Sequence, residues 1–202
     1  TTAALARAGV APDEVDHVIM GQVLMAGQGQ VPSRQAAVNA GIPMNVPSIN
    51  VNKVCLSGLN SIYLANQMIA AGDADIVIAG GMESMTNAPY LADGARGGFR
   101  YGNTELRDAI IADGLWCSFD GCLMGLGTDR YAGSESISRA AQDEFAAVSN
   151  ERAATAIKDG RLADEIVPVA VPQRKGDPIL VETDEGVRPG TTAESLGGLR
   201  PA

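Results

Sequence analysis

Histidine is almost missing from this chain. His17 is the only one among 202 residues, and the three cysteines, Cys55, Cys117 and Cys122, show no metal-type pairing. A structural zinc site is therefore a poor reading, and no metal is expected. The same unpaired thiols suit a reducing compartment, so the expected location is the cytoplasm. Basic side chains are in deficit as well, with 15 Lys and Arg against 24 Asp and Glu, a formal net charge of −9. That sign opposes nucleic-acid and anionic-membrane surfaces, although a local cationic patch can still hold an anionic ligand. No run approaches the ~18 apolar residues of a membrane span, and no signal-peptide pattern opens the chain. Aromatics are scarce at 4%, whereas 24 glycines provide for many tight turns.

What is present suits an ordinary globular chain, long enough for one domain with a sizeable core. The stretch VNKVCLSG (Val51–Gly58) stands out. Cys55 lies between a short apolar run (Val46, Ile49, Val51) and a helical pattern from about Leu56 to Ala71, stopped by Gly72. A cysteine at a helix start meets unpaired N–H groups and the positive end of the dipole, which favour the thiolate. Gly58 leaves room for a substrate to approach. By residue type alone, a free cysteine is more often a small core residue. DIVIA (Asp75–Ala79) reads as a buried parallel strand. Ile49–Ala79 is then a βαβ unit with Cys55 at the carboxyl end of its first strand, where open α/β sheets place their sites. Gly80 and Gly81 read as a sharp turn beside the Cys55 loop.

Elsewhere, a short helix runs from Thr1 to about Ala8 and ends at Gly9, and Asp16–Val23 reads as a strand. The glycine-rich loop Gly27–Val31 lacks the setting of a dinucleotide fingerprint. Ser33 is the expected cap of a helix reaching about Ala40. Residues 87–104 are rich in Gly and Arg without periodicity and read as an excursion from the core. Ser138 should cap a long helix to about Lys158, with Ala141, Phe145 and Val148 on its packing face. Ile166–Val171 and Pro178–Glu182 read as strands of a hairpin around RKGD.

NKVCLSG followed by GDADIVIAGGMESMTNAPY (Gly72–Tyr90) closely resembles the thiolases. The likeness continues in MGQVLMAGQGQVPSRQAAVNAGIP (Met20–Pro43), MG (Met124–Gly125), SRAAQDEFAAVS (Ser138–Ser149), KDGRLADEIVPV (Lys158–Val169) and DEGVRPGTTAESLGGLRPA (Asp184–Ala202). It spans nearly the whole chain, in order and with spacings kept. The resemblance implies an α/β fold: an incomplete αβα-layered half-domain over 1–86 and an inserted α+β loop domain over 87–202, which covers coenzyme A and carries the oligomerisation loop. It also implies Claisen condensation of two acetyl-CoA, or thiolysis of 3-ketoacyl-CoA, through an acyl-Cys55 intermediate. The Cys55 N–H is the expected donor to one oxyanion.

The resemblance further places Leu115, Met124, Arg188 and Ser195 around coenzyme A. Arg188 and Ser195 would supply a cation and a hydroxyl to the nucleotide, and Lys175 is a weaker candidate. Leu123 stands where many members carry His, which removes a polar contact near the pantetheine. Coenzyme A enters as substrate with no tightly bound cofactor, and the implied assembly is a homotetramer, a dimer of dimers. The family's opening strand, N-E-A-F segment, G-H-P histidine and second cysteine have no counterpart here. His17 lies in VDHVIM, a surface-like context, and Cys117 and Cys122 read as packing cysteines. These 202 residues alone are thus expected to be inactive. Two alternatives are a non-catalytic CoA- or protein-binding module of the same fold and a ketoacyl synthase, the latter disfavoured by MESMTNAP and DEGVRPGTT.

Overall fold

In the computed structural model, which describes residues 1–201, the chain forms two compact units, the first from Thr1 to Leu123 and the second from Met124 on. The first unit contains helix α1 (Thr2–Ala8), strand β1 (His17–Gly21), α2 (Pro32–Asn39), β2 (Ser48–Val51), α3 (Ser57–Ala71) and β3 (Val77–Gly81). Short ribbons follow: β4 (Tyr90–Leu91) with β5 (Arg107–Asp108), and β6 (Trp116–Cys117) with β7 (Cys122–Leu123). A π-helical turn, Ile110–Leu115, lies between the ribbons. The second unit holds α4 (Met124–Ser134), α5 (Arg139–Lys158), an antiparallel hairpin of β8 (Val169–Val171) and β9 (Ile179–Val181), and α6 (Ala193–Gly197).

The three-stranded sheet is parallel, in the order β2–β1–β3. As the middle strand, covered on both faces, β1 has to be apolar without alternation, and Val18, Ile19 and Met20 are all buried. Val18 and Met20 face a cluster with Leu5 of α1, Ala37 of α2 and Ile42. Ile19, one residue out of phase, points to the other face, where α3 packs across β1 and β3. The result is an α–β–α layering. The strands flanking α3 are parallel as expected, but β1 is inserted between them.

Two carboxylates fix where the strands begin and end. Asp16 Oδ2 accepts the N–H groups of Asp75 (2.8 Å) and Ile76 (2.9 Å), just ahead of β3. At the opposite end, Glu83 accepts from Val23 (2.8 Å) and Leu24 (3.1 Å), just beyond β1. This is why β3 starts at Val77 rather than at Asp75, and why β1 stops at Gly21 rather than at Val23. Gly80 and Gly81 are the last residues of β3, paired with Met20 and Gly21, and are not a turn.

Asp16 also carries a pH signature. The N–H of Ile76, then that of Asp75, hold its carboxyl below the usual aspartate value. A depressed folded value contributes stability above the unfolded pKa, and that contribution is lost as pH falls through the folded one. Asp16→Asn should therefore lower the urea midpoint near neutral pH, and the difference from wild type should close as the pH drops below about 4. Urea titrations across pH 2–7 would check it. A difference that persists unchanged at low pH would place the effect elsewhere.

Other sequence expectations need adjustment. Ser33 does not cap α2; Val31 does, at φ 42°, with Pro32 opening the helix. Ser33 is fully buried in its first turn, its N–H donating to Asn50 Oδ1 at 3.0 Å. Ser138 does cap α5, its hydroxyl accepting from Ala141 N at 3.2 Å. The expected packing face of that helix is open, however: Phe145 is 77% exposed. The sheet ends at Gly81, and the compact unit that holds it runs on to Leu123. Ile110, Gly114 and Leu115 within it share a cavity with the ends of β1 and β3. In the second unit α6 sits on α5, where Arg139 pairs with Asp143 (2.8 Å) and donates to Leu196 O (2.6 Å) and Leu199 O (3.0 Å). No helix among the described residues is long and apolar enough to cross a membrane.

Candidate active site

Between β2 and α3 the chain makes a tight elbow. Asn52 Oδ1 accepts the Val54 N–H at 2.9 Å, and Ser57 Oγ accepts the Lys53 N–H at 2.8 Å while donating to Val54 O at 2.6 Å. These bonds hold Val54 at φ 49°, a left-handed conformation costly for a β-branched residue. Cys55 follows at the bend, exposed, two residues ahead of α3. The sequence forms this elbow because Asn52 and Ser57 are both short polar side chains that hydrogen-bond neighbouring backbone.

The elbow is seated directly on the sheet by backbone. A Cβ added to Gly21 would stand 2.3 Å from Ser57 C and 2.4 Å from Gly58 N. Gly58 meets Gly81, where an added Cβ would be in ordinary contact at 3.9 Å. At Gly58 the sheet would thus accept a methyl group, whereas at Gly21 it would not. The buried Ser61 hydroxyl, between Gly58 O (2.6 Å) and Gly80 O (2.7 Å), ties α3 to β3.

Above this floor lies an open, mainly apolar cavity of about 450 Å3. Cys55 and Val54 line one side, residues 21–24 and 81–83 the adjoining walls, and Ile110, Gly114 and Leu115 of the π-helical turn the far side. The wall is anchored by Gln22, which is buried and accepts from Asn50 Nδ2 at 3.0 Å. An exposed thiol on a strained turn beside an apolar recess suits attack on a neutral, electrophilic carbonyl carbon.

Of the candidate ligand residues, Leu115 shares this cavity with Cys55. The others belong to the second unit. Met124 opens α4 and is half exposed. Arg188 is exposed; its N–H donates to Asn150 Oδ1 at 3.3 Å and its carbonyl accepts from the Thr191 hydroxyl at 2.7 Å. Ser195 belongs to a capping box with Thr192, donating to Thr192 O (2.8 Å) and accepting from Thr192 N (3.1 Å). Lys175 lies exposed between β8 and β9.

His17 is half-buried at the start of β1, not at the surface, and its Nδ1 is buried without a partner. Cys55 follows the other end of the parallel sheet, so His17 lies about 13 Å away along the strand direction. Cys122 is buried, and the Cys117 thiol bonds Asp120 Oδ2 at 3.3 Å. Sequence reasoning gave no role to Gly21 or Glu83. The one signal for Glu83 was an acidic residue directly after an apolar strand.

Comparison with known proteins bears on the family and the fold. The family described as "Thiolase, N-terminal domain" matches residues 1–202. An acetyl-CoA acetyltransferase of Thiocystis violacea is 52% identical over 200 residues, covering 99% of this chain and 51% of the relative. Another from Cupriavidus necator is 53% identical over 200 residues, again 99% of this chain and 51% of the relative. The crystal structure of the Bacillus anthracis acetyl-CoA acetyltransferase superimposes with a TM-score of 0.94 at 34% identity, over 99% of this chain and 50% of that one. The chain spans about half the length of the curated relatives it matches.

Proposed function

The chain belongs to the thiolase family, and from that premise we propose that the protein carrying it is an acetyl-CoA C-acetyltransferase. It joins two acetyl-CoA to acetoacetyl-CoA, or in reverse splits a 3-ketoacyl-CoA with coenzyme A. The observation that carries this reading is Cys55 raised on a strained elbow at the edge of an apolar cavity, just ahead of α3. The Cys55 thiolate attacks the thioester carbonyl, a tetrahedral oxyanion forms and collapses, and coenzyme A leaves as the acyl group stays on sulfur. The backbone N–H of Cys55 supports the oxyanion. The histidine and second cysteine that the family uses for proton transfer have no counterpart among these residues. Coenzyme A is substrate rather than resident cofactor, the assembly is a dimer of dimers, and the location is cytoplasmic.

Incubation with acetyl-CoA followed by peptide mass spectrometry tests this. An acetyl group on Cys55 is expected. Acetylation at Cys117 or Cys122 instead would overturn the assignment, and reversible binding without acylation would favour a CoA-binding module.

Arg188 supplies the cation for the nucleotide phosphates. Ser195 has its proton committed to Thr192 O, which leaves a lone pair suited to a donor such as an exocyclic amine. Leu115 and Met124 flank the pantetheine. Arg188→Ala should raise KM for CoA substrates more than it lowers kcat, because the contact is remote from the reacting carbon. One charge-assisted hydrogen bond is worth roughly 1.5–3 kcal/mol, so KM should rise about 10- to 150-fold. Unchanged steady-state kinetics would place Arg188 on the solvated surface.

A further inference from the structure

We propose that Glu83 is a positioning residue for the acylation of Cys55, an inference that rests on the acyltransferase reading above. Its two carboxylate oxygens take separate partners, Oε2 the Val23 N–H at 2.8 Å and Oε1 the Leu24 N–H at 3.1 Å, across about 60 residues of chain. Val23, Leu24 and Glu83 all line the cavity that holds Cys55. Two adjacent N–H groups pointing at one carboxylate fix both the position and the tilt of a backbone segment, because neither bond can lengthen without bending the other.

The effect reaches further through Leu24. That side chain is 4% exposed, and its Cδ2 lies 3.7 Å from where a Cβ on Gly114 would stand. It therefore supports the π-helical turn, an uncommon geometry found mostly at functional sites, whose last residue is Leu115. One carboxylate thus sets the distance between the Cys55 elbow and the two walls facing it. Nothing in this arrangement requires Glu83 to touch the acyl group. It acts by holding the surface against which the thioester carbonyl lies, where displacement of about 1 Å can cost on the order of 100-fold in rate.

Glu83→Gln is the informative change, since its amide NH2 is a donor and would oppose one of the two N–H groups. In the protein carrying this chain, Glu83→Gln and Glu83→Ala should lower the single-turnover rate constant for Cys55 acetylation by acetyl-CoA about 10- to 100-fold. The acetyl-CoA concentration at half-saturation should stay within about threefold, and so should the rate of Cys55 alkylation by iodoacetamide, because the thiol itself is not moved. A folded variant that acetylates within twofold of wild type would overturn the inference, as would a loss confined to half-saturation. Wild type that is never acetylated would instead sink the acyltransferase reading. Hydrogen exchange on wild type stands apart from both and needs no variant to fold. The Val23 and Leu24 amides should be protected well beyond solvent-exposed loops, and free exchange at both would remove the clamp and the inference together.

Discussion

Gly21→Ala is expected to cost about 3 kcal/mol or more of folding stability. The added methyl would stand 2.3, 2.4 and 2.6 Å from Ser57 C, Gly58 N and Ser57 O, all backbone atoms with no flexible end to swing aside. Relief requires lifting the first turn of α3 off the end of β1, which would also pull the buried Ser61 hydroxyl from Gly80 O. Overpacking, with the backbone shifts it forces, commonly costs about 1–3 kcal/mol and occasionally more, and contacts this short against rigid backbone belong at the upper end. A loss above about 3 kcal/mol would consume much of the ~5–15 kcal/mol of a typical domain. Gly58→Ala is the control. Its Cβ would meet Gly81 at an ordinary 3.9 Å, and helix propensity gains up to ~1 kcal/mol at such a position. Chemical denaturation of both variants decides the matter; a Gly21→Ala protein within about 1 kcal/mol of wild type would show that the elbow is not seated on β1 as described.

Cys55→Ser should abolish acyl-enzyme formation while leaving coenzyme A affinity within about twofold. A serine fits the same elbow, so folding is not at issue. The difference is chemical, since a thiolate forms near neutral pH far more readily than an alkoxide. Turnover should fall on the order of 10³-fold or more, as when other enzymes lose their nucleophile. Intact-mass spectra after acetyl-CoA treatment would show no acetyl adduct, and calorimetric titration would show binding retained. An adduct that survives the substitution would move the nucleophile elsewhere.

Much of the local structure could be read from sequence because its causes are local. Gly72 ends α3 with a left-handed backbone (φ 79°), and Ser138 caps α5 through its own neighbour three residues on. Strand, elbow and helix around Cys55 follow from an apolar run, two short polar side chains and a helical repeat. What could not be read depends on partners distant in the chain. The limits of β1 and β3 are set by carboxylates about 60 residues away, so the apolar pattern misplaced each by two residues. Gly21 looked like any strand glycine, because only the arrival of α3 makes its missing side chain matter. Val31 took the capping role from Ser33 because Asn50, on another strand, binds the Ser33 N–H. Phe145 sits at helical spacing with other apolar residues, but periodicity says which residues share a face and not whether anything covers it.

The central place of β1 has a consequence for biosynthesis. β1 pairs on one edge with Ser48–Val51 and on the other with Val77–Gly81. β1 is therefore made before both of its partners, and its second edge waits for β3. With about 60 residues between Gly21 and Gly81, and translation at roughly 5–20 residues per second, that edge stays open for roughly 3–12 s on the ribosome. Until then the edge of β1 that will take Val77–Gly81 offers unpaired N–H and C=O groups to neighbouring nascent chains. Ribosome-bound chains arrested before β3 should bind holdase chaperones and be cut by proteases around residues 18–20, and chains long enough to have released Gly81 should escape both.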